Sequence, residues 1–393
     1  MRDKRLYDVI IIGAGISGLL LASELSKDHS ILLIEQEESL PNGKYWVTGE
    51  DSTKLVPELL GCIDRSYDFL DFIGHDGTRF RAFGKAVLWD TDKLLSKLYS
   101  STIQNGGNVR FNQRFYNFSY KGDKVSISAN SSTYTANLIV DCMGIKSPLI
   151  HIKSLIRSVG YYIIYGGLVE LKKQIDPIAL GNIMIDNKPK YLEIFPTSDN
   201  KAYFSLIYPS RQLKNSLCLK NDFEFIISKS EYSTFINYSR NVIRTVSGLI
   251  PISLMRKRGF DNIYFYGEAG QINPAATATC LHRMLITYKK TSNMLSKMLN
   301  EKLLDKNSLS AITGPITKWN QRFQISLYKH ILSWNSSDYA DMLKELSSID
   351  SQLFSRILTG ELSKDDFKSI LYNTSFFRNK RKKLISIFFK SIF

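Results

Sequence analysis

Cysteine is scarce: four residues in 393, at Cys62, Cys142, Cys218 and Cys280. They form no C-x-x-C pair, so neither a disulfide framework nor a cysteine zinc site is expected. The five histidines are scattered, and no metal site is expected. No apolar run approaches the roughly 18 residues of a membrane-spanning helix. No secretory signal is apparent. Residues 9–22 are apolar, but they hold three glycines and lead into a second strand that ends in an acid. A cytoplasmic setting follows as the expectation. Acid is also short: 37 Asp and Glu stand against 52 Lys and Arg, for a formal net charge of +15. Such a surface attracts nucleic acid, anionic lipid or an acidic protein. No nucleic-acid recognition motif accompanies the charge, so nucleic acid is not an expected partner.

Part of that charge lies in residues 378–393, RNKRKKLISIFFKSIF, with six basic residues and no acid. On a helix Leu384, Ile385, Phe388, Phe389 and Ile392 share one face. Such a terminus either lies peripherally on an anionic membrane surface or docks on the protein's own body.

The chain is organised around residues 8–35, DVIIIGAGISGLLLASELSKDHSILLIE. An apolar run suited to a doubly buried strand comes first. Gly13, Ala14, Gly15 and Gly18 follow in a G-x-G-x-x-G frame, then a helical spacing, then a second apolar run ending in Glu35. Gly13 permits the tight turn, Gly15 lets the backbone approach a pyrophosphate, and Gly18 lets helix and strand pack closely. The helix N-terminus offers free N–H groups to phosphate. Glu35 stands where an acid accepts hydrogen bonds from a ribose.

Further along, residues 55–73 read as loosely helical and residues 92–103 as a helix. Strands are expected over 109–118, 124–128, 133–136 and 138–144. Alternating apolar residues over 160–209 predict antiparallel strands, and residues 223–245 read as one or two helices. A strand at 263–266 leads into a Gly/Pro/Ala-rich turn and a long helix from about residue 277 to 304. The segments 318–333, 339–346, 349–358 and 364–371 form a terminal helical set. The expected divisions are a nucleotide domain of residues 1–155 with 250–305, a β-rich substrate domain of 156–249, and a helical region of 306–393.

Three motifs belong together. Gly13, Gly15 and Gly18 with Glu35 resemble the FAD-binding start of the p-hydroxybenzoate-hydroxylase-like flavoproteins. Asp141, Gly144 and Ser147 are similar to that superfamily's D-x-x-G-x-x-S stretch. Gly267, Glu268 and Gly270, then Pro274, Ala275, Ala276 and Thr277, resemble its G-D-A-x-x-x-x-P motif. Lys93 sits where many members carry a cofactor-contacting arginine. The resemblance implies an α/β fold: a Rossmann-like FAD-binding domain with an inserted antiparallel β-sheet substrate domain and a C-terminal helical region. It also implies FAD as cofactor, held by these residues.

Residues 165–170 (YGGLVE), 193–196 (EIFP) and 248–252 (GLIPI) resemble the lycopene-cyclase-like branch. That branch carries a Phe-Leu-Glu-Glu-Thr-like stretch whose glutamate is implicated in acid catalysis. The corresponding residues 203–208 read YFSLIY and hold no carboxylate. The flavin-dependent halogenases share the fold; their W-x-W-x-I-P stretch is missing, and Lys44 matches their catalytic lysine by position alone.

A second G-x-G-x-x-G is missing, so no separate Rossmann domain for NAD(P)H is expected. NAD(P)H is then a transient reductant, or a partner reductase supplies electrons. The expected activity is that of an FAD-dependent oxidoreductase, a monooxygenase foremost, on a lipophilic or aromatic metabolite, free or carrier-bound. A non-redox cyclase or isomerase, a halogenase and a membrane-surface flavin-binding protein are the alternatives. His282 is a candidate catalytic residue. Tyr161, Tyr162, Tyr165, Tyr191, Phe195, Tyr203 and Phe204 supply candidates for an apolar pocket wall, about half of them by strand alternation.

Overall fold

The computed structural model describes residues 6–130, 132–150, 155–185, 188–237, 242–255, 257–312, 318–346, 350–363, 365–366 and 368–369. The basic stretch at 378–393 lies outside them, as does half of the segment 364–371 expected to be helical; its described residues 365–366 and 368–369 are helical. The strands are β1 Leu6–Ile12, β2 Ile31–Ile34, β3 Trp46–Gly49, β4 Ile63–Ile73, β5 Arg79–Trp89, β6 Asn108–Arg110, β7 Phe115–Lys121, β8 Lys124–Ala129, β9 Ser132–Asp141, β10 Ile156–Glu170, β11 Ile178–Ile185, β12 Lys188–Pro196, β13 Lys201–Ser210, β14 Arg244–Met255, β15 Gly259–Phe260 and β16 Ile263–Phe265. The helices are α1 Ile16–Leu25, α2 Thr91–Gln104, α3 Lys220–Lys229, α4 Cys280–Glu301, α5 Lys306–Ala311, α6 Lys318–Ile331, α7 Ser336–Leu346 and α8 Ser351–Thr359.

The first sheet runs β15-β16-β9-β1-β2-β6. Its central strands β16, β9, β1, β2 and β6 are parallel. Val9, Ile10 and Ile11 of β1 and every residue of β2 are buried, as strands covered on both faces require. Helix α1 packs with α2 and α4 over one face, and Leu19, Leu21, Leu94, Leu98 and Leu285 share that core.

The second sheet runs β14-β10-β13-β12-β11-β4-β5-β3. It is antiparallel except where β11 meets β4. The sheet draws on more chain than residues 156–249, because β3, β4 and β5 extend it and β14 runs on to Met255. Side chains alternate as the pleat demands. Ile163, Tyr165, Leu192, Ile194, Phe204 and Leu206 pack with Phe223 and Ile226 of α3. Tyr162, Tyr191, Phe195 and Ile207 face the other way, into a cavity.

Two helical expectations are corrected. Residues 55–73 give two short 3-10 turns up to Cys62 and then strand β4. Ile63, Tyr67, Phe69 and Phe72 find an antiparallel partner in β5, and that pairing overrides a weak local helical pattern. The described residues from 223 to 235 form the rest of α3 and a short 3-10 turn, and the chain re-enters the sheet at Arg244.

The β4–β5 pairing is clamped by Asp71, which is fully buried. Arg81 Nε and Nη2 donate to its two oxygens at 2.8 and 2.9 Å, and Arg79 donates to one of them. Truncating Asp71 to alanine leaves the two guanidiniums with Asp176 alone, which Arg79 and Arg81 reach at 3.2 and 2.7 Å. Arg79 and Arg81 side chains are 46% and 33% exposed, so water satisfies them in part. The expected loss is therefore about 2 kcal/mol, below that of a fully buried pair. Urea denaturation checks it: the midpoint falls without a change of slope.

The C-terminal helices cover the cavity face of the second sheet. Tyr328 donates its hydroxyl to Tyr161 O at 2.9 Å and Ser210 O at 3.0 Å, and Tyr339 donates to Leu180 O at 2.7 Å. The region expected as a terminal helical set is thus the roof of the cavity. Among the described residues no helix is long and apolar enough to cross a membrane.

Candidate cofactor and substrate site

Three strand ends meet at one edge of the first sheet. Ile12 registers with Ile34 on one side and Asp141 on the other, and Asp141 registers with Phe265. Gly13 N donates to Ile34 O at 2.8 Å, Cys142 N to Ile12 O at 2.9 Å and Tyr266 N to Asp141 O at 3.0 Å. The loops after β1, β9 and β16 therefore leave from neighbouring points, although they are far apart in sequence. Strand order reverses at β1, and at such a switch point the loops part and leave a crevice.

The glycines of the first loop do different work. Gly13 holds φ +103, and a Cβ there would stand 2.8 Å from Cys142 O. A Cβ on Gly18 would stand 1.9 Å from Gly13 O. Gly15 has ordinary extended backbone, φ −70 and ψ 178, and a Cβ there would meet nothing within 4 Å. Open space thus adjoins the N-terminus of α1. Ala14 N donates to Glu35 Oε2 at 2.7 Å, and Glu37 N donates to Oε1 at 3.1 Å.

In the second loop the Asp141 carboxyl is fully buried. Met143 N donates to Oδ1 at 2.9 Å, and the Ser147 hydroxyl donates to Oδ2. Asp141 therefore shapes its own turn, in which Gly144 takes φ +65. Burial pushes the Asp141 carboxyl up to about 7, while the Ser147 and Met143 hydrogen bonds pull the other way. A raised acid makes folding less favourable as pH climbs, because the unfolded chain releases its proton first. That penalty is absent below the unfolded value near 3.8, grows between about 4 and 7, and is complete above. The stability of Asp141→Asn relative to wild type is expected to rise across that window. Thermal melts of the cofactor-free proteins at pH 4.5 and 7.5 check this.

In the third loop Gly267 takes φ +65, and a Cβ there would stand 2.5 Å from Ser17 Cβ. A Cβ on Gly270 would stand 2.6 Å from Phe265 O, and one on Gly144 would stand 3.2 Å from Glu268 Oε2. Asn273 is buried, and neither atom of its amide has a hydrogen-bond partner among the described residues. Residues 274–279 are sewn to their surroundings. Pro274 packs against Gly360, Ala275 is buried among Tyr162, Ile325 and Tyr328, and Ala276 N donates to Gln324 Oε1 at 3.1 Å. The Thr277 and Thr279 hydroxyls donate to Leu358 O at 2.7 and 2.8 Å. The helix expected from Thr277 begins at Cys280. Ala278 has φ +56, a conformation no helix accommodates.

A cavity of about 850 Å³ starts at this third loop. Glu268 and residues 276–282 close one end, the second sheet forms a wall, and α6, α7 and α8 form the roof. His282 and Lys44 both line it. Burial, then the charge of Arg283, lowers the His282 imidazole to about 4. It is neutral at physiological pH, and its Nδ1 has no partner among the described residues. Lys93 does not line the cavity: its side chain is 66% exposed and its ammonium pairs with Asp90 at 3.0 Å. Of the candidate wall aromatics, Tyr162, Tyr191 and Phe195 line the cavity, whereas Tyr165 and Phe204 pack in the opposite core.

Sequence reasoning singled out residues 193–196 as a family-like stretch, but it gave Glu193 no role. Glu193 faces the cavity between Tyr191 and Phe195. The Tyr45 phenol donates to Glu193 Oε2 at 2.6 Å and stacks on Tyr203, ring centroids 4.6 Å apart at 18°. The signal was one carboxylate inside an alternating apolar strand. Its meaning needed the strand's neighbours.

A parallel sheet whose order reverses at β1, with three glycine loops leaving one edge and a large cavity beginning at the third, defines a Rossmann-type dinucleotide-binding fold joined to a second, antiparallel sheet. The chain belongs to the lycopene cyclase family: the family model described as "Lycopene cyclase protein" matches residues 8–382. A chromoplastic capsanthin/capsorubin synthase from Citrus sinensis is 29% identical over 180 residues, 43% of this chain and 34% of that protein. The chain thus spans about a third of the length of that relative. Solved structures share the fold at low identity. A geranylgeranyl bacteriochlorophyll reductase-like protein from Thermoplasma acidophilum has a TM-score of 0.67 at 14% identity, covering 96% of this chain and 99% of its own. The halogenase PltM in complex with phloroglucinol and FAD has a TM-score of 0.65 at 13% identity, covering 95% and 85%. A p-nitrophenol 4-monooxygenase from Pseudomonas putida has a TM-score of 0.63 at 10% identity, covering 94% and 98%.

Proposed function

We propose that this chain is an FAD-dependent enzyme that cyclises or isomerises a lipophilic, unsaturated substrate without net redox change. The observation that carries this reading is the position of the apolar cavity, which begins at the loop where the nucleotide edge ends. Family membership supports the reaction class.

The residues present fit FAD. Open space beside Gly15 and the α1 N-terminus suits a pyrophosphate. Glu35 has lone pairs left for a ribose, and the unpartnered Asn273 amide lies in the loop nearest the cavity. Gly13, Ala14, Gly15, Gly18, Glu35, Gly144, Gly267, Glu268 and Gly270 would hold the cofactor. When bound and reduced, FAD supplies a negatively charged ring that steadies positive charge on a neighbouring substrate. The chain's own residues do the rest. Tyr162, Tyr191, Phe195 and Ile207 exclude water from the substrate, which strengthens every electrostatic contact inside. Neutral His282 adds no charge that would repel a cation.

The monooxygenase reading is second; the fold shared with a p-nitrophenol 4-monooxygenase favours it. It requires NAD(P)H or a reductase partner, and oxygen. An acidic carrier presenting the substrate suits the chain's positive charge, and Lys44 in the cavity wall is what the halogenase alternative rests on.

The experiment is an anaerobic incubation of the FAD-loaded protein with dithionite and lycopene. A product of unchanged oxidation state supports the cyclase reading. Oxygen uptake tied to NADPH consumption, with no anaerobic product, replaces it with the monooxygenase.

A further inference from the structure

Glu193 is a carboxyl group set among aromatic residues of the cavity wall. Its neighbours on the same face of β12 are Tyr191 and Phe195. Across the sheet it registers opposite Ser205 of β13, with Leu192 and Phe195 opposite Leu206 and Tyr203. The Tyr45 phenol is its hydrogen-bond partner and the titratable group that faces it. Tyr203 and Arg244 stand one ring further out; Arg244 donates to the Tyr203 hydroxyl at 2.5 Å and pairs with Asp92 at 2.9 Å. Among the described residues no ion pair to Glu193 is formed; its hydrogen-bond partner is the Tyr45 hydroxyl. Burial raises its carboxyl to about 7, and the Tyr45 hydrogen bond opposes the rise.

A carboxyl so placed holds its proton up to about pH 7 and faces the cavity. Ser205 lies within residues 203–208, the stretch where the sequence resemblance called for an acid and found none. The register puts Glu193 one strand away on the same face.

We propose that Glu193 is the catalytic acid of this cavity, giving its proton to a carbon–carbon double bond of the substrate, and that Tyr45 is its positioning residue. This rests on the cyclase reading of the site. In the step, the Glu193 O–H bond breaks and a C–H bond forms from the alkene electron pair. A carbocation remains on the substrate and a carboxylate on Glu193. A second double bond of the substrate closes a ring on the cation. Loss of a proton from the adjacent carbon returns Glu193 to its acid form. Atoms and electrons balance with no oxidant or reductant consumed. The Tyr45 hydroxyl holds the carboxylate while it is charged, and the Tyr45–Tyr203 stack fixes that hydroxyl.

The test uses the full chain loaded with FAD, with lycopene in detergent micelles as the probe. Infrared pH-difference spectra follow the carboxyl directly, without turnover. A protonated carboxyl that titrates near pH 7 is expected, absent in Glu193→Gln and shifted to higher pH in Tyr45→Phe. Anaerobically with reduced FAD, Glu193→Gln is expected to lose about 100-fold or more in kcat while keeping wild-type FAD affinity and melting temperature. Glu193→Asp recovers part of the rate, and wild-type kcat falls as pH rises past about 7. Product formed in D₂O carries one deuterium at the protonated carbon. A Glu193 carboxyl already ionised at pH 5.5, or Glu193→Gln turning over within threefold of wild type, overturns the proposal. A wild type that shows the titration yet converts no lycopene refutes the cyclase reading while upholding the proton site.

Discussion

Gly18→Ala is expected to destabilise the protein itself, with or without cofactor. The added Cβ would stand 1.9 Å from the Gly13 carbonyl oxygen, and both atoms belong to rigid backbone. Gly13 is held in place, because its own N–H donates to Ile34 O at 2.8 Å. Relief requires α1 to lift from β1. That helix is buried at nine of its ten residues, so the lift opens the core shared with α2 and α4. The expected loss is about 3 kcal/mol or more. For a chain of this size the melting temperature then falls by about 4 °C or more. Calorimetry on the cofactor-free protein measures it, and an unchanged melting temperature would mean that α1 does not pack as described.

Gly15→Val separates binding from folding. The position has backbone angles open to any residue, and a Cβ there meets nothing within 4 Å. The cofactor-free variant is therefore expected to melt within about 1 °C of wild type, as an unstrained surface change does. Its FAD affinity is expected to fall about 100-fold or more. The valine occupies the space beside the α1 N-terminus, so phosphate loses two or more backbone N–H hydrogen bonds, each of which contributes about 1.5–3 kcal/mol to a charged partner. Wild type gains melting temperature as FAD is added, by mass action, and the variant does not. Flavin fluorescence titration alongside the melts checks both halves. Full FAD affinity in Gly15→Val would remove the dinucleotide reading of the loop, whatever the fate of Gly18→Ala.

Much of the nucleotide half was legible in the sequence because its signals are local. A doubly buried strand must be a continuous apolar run, a tight turn must carry glycine, and the helix after it must repeat at 3.6 residues. Gly13, Gly15, Gly18 and Glu35 declare themselves within one βαβ unit. Residues 141–147 and 267–277 carry their own glycines for the same reason. The alternation of β10, β12 and β13 also showed in the sequence, since the pleat imposes a period of two on any strand with two different faces.

The rest depended on partners distant in sequence. Residues 63–73 carry no strong local preference and became a strand because β5 and β11 were there to pair with them. Lys93 has the right place in sequence, but its turn of α2 directs the ammonium to Asp90 and solvent. The sequence by itself determined a dinucleotide fold, its glycine loops and an aromatic-rich second sheet, because each of these follows from chain geometry over a few residues. Only the tertiary structure decided that α6, α7 and α8 roof the sheet, and that Glu193 meets Tyr45 across 148 positions of chain. Burial, strand register and the pairing of a carboxyl with a phenol are properties of surfaces brought together by folding, and no periodicity in the chain encodes them.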